Sequence, residues 1–277
     1  MIPFDFEYYK PDTVEEAAQI FKELDAQGKE PLYYGGGTEI ITLARLNNIY
    51  TKAVIDLKGI PECNSIDFHE DNLVIGAAVT LTKISESKVF PLLGKAGGRI
   101  ADHTTQGKIT IGGNVAGTII YRETVLPLLL CDSRVVVFRD NVLLELPLYE
   151  VFNERLKLPK GEFIIRFVIG KEFTAMPFVH VKKAKSEKID YPLVSVAAIR
   201  KDDRIRVAIS GVCGFPFRSA QVEEDLNDRN SSRETRAANA LSHLPAAVMS
   251  NMYGSDGYRK FVLKNSLVNT LESLEEI

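Results

Sequence analysis

Three cysteines in 277 residues, Cys63, Cys131 and Cys213, stand too far apart for a disulfide framework or a C-x-x-C ligand set, which argues against an intrinsic iron–sulfur cluster. The four histidines, His69, His103, His180 and His243, are as scattered, and none lies four residues from another ligand type in the spacing that suggests zinc. No run reaches the roughly 18 apolar residues of a membrane span. The opening residues, Met1 to Glu7, lack a basic stretch followed by an apolar one, so the expectation is a cytoplasmic protein. A formal net charge of -3, with both signs interspersed, leaves no basic footprint for nucleic acid. No serine, histidine and aspartate carry a nucleophile-elbow signature, so catalysis calls for a cofactor.

What the chain has instead is a pair of glycine loops, Gly35-Gly36-Gly37-Thr38-Glu39-Ile40 and Thr110-Ile111-Gly112-Gly113-Asn114, each directly after or within β-forming residues. Without a Cβ, the backbone N–H groups of such a loop can approach an anion and form a concave nest of partial positive charge. One loop is weak evidence, because glycine turns end strands everywhere; two suit a diphosphate. Gly35–Gly37 does not continue as G-x-G-x-x-G and is expected to lack the βαβ context of a dinucleotide fingerprint. Gly107-Lys108 is no P-loop, since Asp102 stands at the first glycine position and Ile109 where Ser or Thr should hold magnesium.

The pattern along the chain is α+β. Thr13 is an N-cap candidate with Glu16 completing a capping box, and Val14, Ala17, Ala18, Phe21 and Leu24 share one helix face. Pro31 to Tyr34 read as a strand into the first loop, and Ala53–Leu57 and Leu73–Val79 as further strands. Helical spacing from Leu92 to Ala101 precedes the second loop. Arg134–Phe138 and Val142–Leu146 flank Arg139-Asp140-Asn141 as a hairpin, and Val194–Ile199 with Ile205–Ser210 form another across Lys201-Asp202-Asp203. The tail from Ser232 carries Tyr258, Phe261, Val262, Leu267, Val268 and Leu271 in an amphipathic run expected to pack within the molecule. The expected division is 1–172, with subdomains of about 1–57 and 58–172, and 173–277.

Taken with these loops, the stretch from Lys182-Lys183-Ala184 to Asp190-Tyr191-Pro192-Leu193-Val194-Ser195-Val196-Ala197-Ala198 completes a resemblance over nearly the whole chain. The sequence resembles the FAD-binding medium subunit of the molybdenum hydroxylases, nearest in appearance to bacterial xanthine dehydrogenase FAD subunits. The resemblance implies a two-subdomain FAD-binding domain of the PCMH-type, or molybdopterin dehydrogenase, fold, followed by a smaller α+β C-terminal flavoprotein domain. It implies that Tyr33, Tyr34, Gly35, Gly36, Gly37, Thr38, Glu39 and Ile40 wrap one side of the FAD diphosphate, the N–H groups of Gly36 to Ile40 donating. Thr110, Ile111, Gly113 and Asn114 would supply the other side. Ile100, Ala101 and Ile164 match positions near the cofactor, and Lys182, Asp190 and Tyr191 match positions near the flavin, Tyr191 as an aromatic shield. A cation such as Lys182 would favour the charge that a reduced flavin acquires; the alternative is that it belongs to a solvated run with Lys183, Lys185 and Lys188. In Tyr121-Arg122-Glu123-Thr124-Val125-Leu126-Pro127, Glu123 or Thr124 stands in for an aspartate of the family, and the segment is what resembles the xanthine dehydrogenase type.

The function so implied is electron transfer through FAD to NAD or another acceptor, from iron–sulfur clusters on a small partner subunit. A large partner would carry the molybdopterin, making a heterotrimer. Two rivals stand beside it: the FAD subunit of a carbon monoxide, aldehyde or nicotinate-type dehydrogenase, and a flavin-free scaffold that keeps the fold. A free-standing FAD oxidoreductase ranks lower, since no paired acid and base stand out.

Overall fold

The structure, a computed structural model, describes residues 2–185 and 189–276. Its elements begin with β1 (Glu7–Tyr9), α1 (Val14–Ala26), β2 (Leu32–Tyr34), α2 (Thr38–Arg45), β3 (Ala53–Asp56), β4 (Ile66–His69) and β5 (Asn72–Gly76). Short helices follow: α3 (Leu81–Ser87), α4 (Pro91–Gly97), α5 (His103–Gln106), α6 (Ile111–Ala116) and α7 (Val125–Leu130). Then come β6 (Arg134–Arg139), β7 (Val142–Pro147), α8 (Leu148–Val151), β8 (Phe152–Asn153), β9 (Arg155–Leu156), β10 (Phe163–Gly170), β11 (Phe178–Ala184), β12 (Pro192–Lys201), β13 (Arg204–Ser210) and β14 (Phe217–Arg218). Helices α9 (Ala220–Leu226), α10 (Arg233–Ala240) and α11 (Asp256–Glu275) close the chain. They pack into two compact units with interleaved segments: Met1–Ile84, His103–Gly117 and Ser133–Lys171 in the first, and Ser85–Asp102, Thr118–Asp132 and Glu172–Ile277 in the second.

The first unit holds two larger sheets and the two-stranded ribbon β8-β9. In one, β3 lies between β1 and β2, parallel to both. The other is antiparallel in the order β4-β5-β10-β6-β7. One core joins them: Phe21 and Leu24 of α1 and Ile55 of β3 pack in the same cluster as Val136, Phe163 and Ile165. Helix α1 starts as its sequence requires, Thr13 accepting the Glu16 N–H, and Glu16 reaches back to the N–H of Asp12. The β6–β7 hairpin turns at Asp140 and Asn141, both at positive φ, which Asp and Asn tolerate better than most residues. Helix α2 crosses from β2 to the parallel β3, so the first glycine loop does sit in a βαβ unit, contrary to the expectation drawn from its incomplete fingerprint.

The second unit is built on the antiparallel sheet β11-β12-β13-β14. Val194, Val196 and Ala198 of β12 and Ile205, Val207 and Ile209 of β13 face a core shared with Leu226 of α9, Ala237 of α10 and Leu263, Leu267 and Leu271 of α11. The alternate residues face the other way. There Arg206 and Arg218 donate to the carbonyls of Leu130 and Leu129 at the C-terminus of α7, and both pair with Asp132. Those bonds, and small residues such as Ala197 and Ala208 that let a helix lie close, explain why 118–132 belongs to this unit. In the tail, Leu267 and Leu271 are buried as expected, whereas Tyr258 and Phe261 are exposed.

Arg259 of α11 is fully buried. It donates to the carbonyls of Leu193 at 2.7 Å and Gly211 at 2.6 Å, and to Asn251 Oδ1 at 2.7 Å. Replacing Arg259 with Leu leaves those acceptors unpaired inside the unit, an expected loss of about 3 kcal/mol of stability. Urea unfolding followed by far-UV circular dichroism checks it; an unshifted midpoint would show that the guanidinium contributes nothing.

Candidate functional site: two glycine loops in the first unit

The two loops meet. A Cβ on Gly36 would lie 1.5 Å from the Lys108 carbonyl oxygen, and one on Gly35 would lie 2.5 Å from Thr110 Oγ1. These glycines let two backbone segments close on each other, a demand as strict as any a ligand would make. Gly37 is different: it has φ +69° and caps α2, and a side chain there would strike the ring of Tyr34.

The loops also differ in what they offer an anion. The second is a helix start rather than a strand end. Thr110 caps α6, its Oγ1 accepting the Gly113 N–H. Ile111 N–H goes to the Val79 carbonyl, Gly112 N–H to Ala77 and Asn114 N–H to Thr110. All four amides from Ile111 to Asn114 are thus spent inside the unit. In the first loop, the N–H groups of Gly36, Gly37, Thr38 and Ile40 donate to no described residue. They are the orphan amides expected of a helix start, they carry the positive end of its dipole, and they fit one phosphate-bearing group. Of the two loops, the first is therefore the one with amides left to offer an anion, and the second backs it.

The predicted site residues fall into three groups. Tyr33 stacks between Phe21 and Phe163, at ring centroid distances of 4.9 and 4.3 Å, and its hydroxyl donates to the Gly161 carbonyl. Burial raises its phenol well above the usual value. With Ile111, fully buried, and Ile164, in β10, it belongs to the framework of the first unit. Tyr34, Gly35, Gly36, Gly37, Thr38, Ile40, Thr110, Gly113 and Asn114 gather at the loops, and the Glu39 carboxylate lies against Gly117, where a Cβ would come within 2.6 Å of it.

The third group, Ile100, Ala101, Glu123, Lys182, Asp190 and Tyr191, lies in the second unit. Lys182 of β11, Ser195 of β12 and Ser210 of β13 pair in register across three strands, so they share a face. Lys182 is buried and donates to the Arg99 carbonyl at 2.7 Å, whereas Lys183 and Lys185 are exposed; it is not part of a solvated run, and Lys188 lies outside the described residues. Burial lowers its pKa, against an attraction to Glu123 that raises it. Glu123 is buried too, and burial lifts its carboxyl above the usual range despite Lys182, Ser195 and Ser210. Tyr191 is half exposed and stacks on Tyr121 at 4.7 Å. Ala101 holds a positive φ of 52°.

One residue beside the loop escaped sequence reasoning. Lys58 follows β3 and reaches the Gly35 carbonyl; nothing in its local sequence signals this, because the contact spans 23 positions.

Gly36→Ala is expected to force the loops apart and to weaken binding of ADP, as a diphosphate probe, by at least about 100-fold, the scale of a backbone clash. Gly113→Ala, whose Cβ would meet only Thr110 Oγ1 at 2.9 Å, should stay within about fivefold. Isothermal titration of both variants checks the contrast, and equal losses would contradict it.

The family described as FAD binding domain in molybdopterin dehydrogenase matches residues 4–171. The chain is 25% identical to the nicotinate dehydrogenase FAD-subunit of Eubacterium barkeri, across 98% of both sequences. It is 32% identical to the carbon monoxide dehydrogenase medium chain of Hydrogenophaga pseudoflava over 120 residues, 42% of this chain and 41% of that one. The 6-hydroxypseudooxynicotine dehydrogenase complex subunit alpha of Paenarthrobacter nicotinovorans is 24% identical, covering 98% of this chain and 95% of its own. Among solved structures, carbon monoxide dehydrogenase from Hydrogenophaga pseudoflava lacking the Mo-pyranopterin moiety superposes with a TM-score of 0.88 at 22% identity, covering 100% of this chain and 99% of that one. Quinoline 2-oxidoreductase from Pseudomonas putida 86 gives 0.85 at 20%, covering 100% and 98%. The fold is theirs, and the chain belongs to the family of FAD-binding domains of molybdopterin dehydrogenases.

Proposed function

We propose that this chain is the FAD-binding, electron-transfer subunit of a molybdenum hydroxylase complex. The observation that carries the reading is the set of four free amides at the start of α2, within the span that matches an FAD-binding family. When bound, FAD would supply the change between one-electron and two-electron chemistry, and the protein supplies its place and its electrostatics. Gly36, Gly37, Thr38 and Ile40 receive the diphosphate, and Thr110 and Asn114 back it. Lys182, Asp190 and Tyr191 are proposed for the flavin, Lys182 as the cation that favours its reduced form. Residues 1–172 are proposed as the FAD-binding domain and 173–277 as the C-terminal flavoprotein domain.

The iron–sulfur clusters and the molybdopterin are assigned to a small and a large partner subunit, since the three cysteines here are buried and far apart in sequence. NAD is proposed as an acceptor. No helix among the described residues is long and apolar enough to cross a membrane.

For the substrate of the complex, the relatives named above support a nicotinate- or carbon monoxide-type dehydrogenase better than the xanthine type. The segment that suggested xanthine, Tyr121 to Pro127, is buried throughout, so packing in the second unit constrains its residues and they say little about a substrate bound elsewhere.

The test is the visible spectrum of the purified chain, with and without added FAD, and identification of the released nucleotide. The expected result is a flavin spectrum with one FAD per chain, and co-purification of an iron–sulfur and a molybdopterin protein from the native source. A folded chain that takes up no FAD would favour the flavin-free scaffold instead.

A further inference from the structure

Lys58 occupies a more elaborate setting than a surface lysine needs. Its ammonium donates to the Gly35 carbonyl at 2.6 Å and to Asp56 Oδ1 at 2.8 Å, and sits 4.7 Å from the centre of the Tyr34 ring. That ring fills the space a side chain on Gly37 would take. Asp56, only 2% exposed, also accepts the Lys58 N–H and the Tyr8 hydroxyl. All three parallel strands thus contribute: Tyr8 from β1, Tyr34 from β2 and Asp56 from β3. Burial works to raise the Asp56 carboxyl, but the bonds from Lys58 and Tyr8 outweigh it and hold it below the usual value. The carboxylate is therefore ionised and fixes the ammonium.

The bond to Gly35 has a geometric effect. In a planar trans peptide the carbonyl and the following N–H point in opposite directions. A cation that holds the Gly35 carbonyl sets the direction of the Gly36 N–H, the first of the free amides. Glycines on both sides of that peptide leave it free to rotate without such a tether.

We propose that Lys58 is a positioning residue of the diphosphate cradle: it holds the Gly35–Gly36 peptide in the orientation that aims the Gly36 amide at a phosphate oxygen. The inference rests on the FAD reading given above and deepens it. Lys58 acts through the loop, not by touching the flavin, so its loss changes the affinity for a diphosphate and leaves a ligand without one unaffected.

The experiment titrates the full chain and its Lys58→Met and Lys58→Arg variants with FAD, ADP and riboflavin, with circular dichroism to report folding. Lys58→Met should weaken FAD and ADP alike by about tenfold, the scale of one well-placed hydrogen bond to a charged group, and leave riboflavin unchanged. Lys58→Arg, which keeps the cation, should recover most of the loss. A folded Lys58→Met chain that binds FAD and ADP within twofold of the parent overturns the proposal, as does an equal loss for riboflavin. Should Lys58→Met fail to fold, Lys58→Gln takes its place under the same criteria. A parent chain that binds ADP but not FAD would overturn the FAD reading, while the ADP comparison still decides the role of Lys58.

Discussion

The closure of one loop on the other is the constraint from which the site follows. Gly36 against the Lys108 carbonyl and Gly35 against Thr110 leave no room for a methyl group at either place. The second loop is itself pinned, by Leu81 N–H to Ile109 and Ile111 N–H to Val79. It can therefore serve as a fixed wall, with its own amides consumed. The first loop, resting on that wall, ends in a left-handed glycine and begins a helix, so its amides come free in one place. A rigid cradle of this kind spares a ligand the cost of ordering it.

Much of this was legible in the sequence. The alternation of short apolar runs with Asp and Asn turns located both hairpins, and Thr13 with Glu16 marked the start of α1, because caps and turns are local chemistry. The two loops stood out because glycine clusters next to β-forming residues are uncommon enough to ask for a reason. What the sequence could not show was which reason applied at which glycine. Gly35 and Gly36 answer to neighbours more than 70 positions away, Gly37 answers to φ, and Gly112 packs on Ala77. The βαβ crossover was missed because α2, between two strands that were both read, is only eight residues long and gives too short a window for helical periodicity. Lys58 was missed because its partner is distant in the chain.

The second unit illustrates the same limit in reverse. Glu123 and Lys182 were selected as polar positions beside a cofactor, and the structure shows both buried on one side of the β11–β12–β13 sheet, their charges shifting each other's titration. Burying a charged group is costly unless it is paired and hydrogen-bonded. That cost constrains the residue types at these positions whatever else they do, and the interleaving of 85–102 and 118–132 into this unit makes the constraint non-local.

The central claim is that the first loop gives the hydrogen bonds to a diphosphate and the second only supports it. Amide hydrogen exchange, resolved residue by residue with and without ADP, tests this most directly. Slowed exchange is expected at Gly36, Gly37, Thr38 and Ile40, with no change from Ile111 to Asn114, whose amides are already bonded. Protection gained at the second loop, with none at the first, would contradict it.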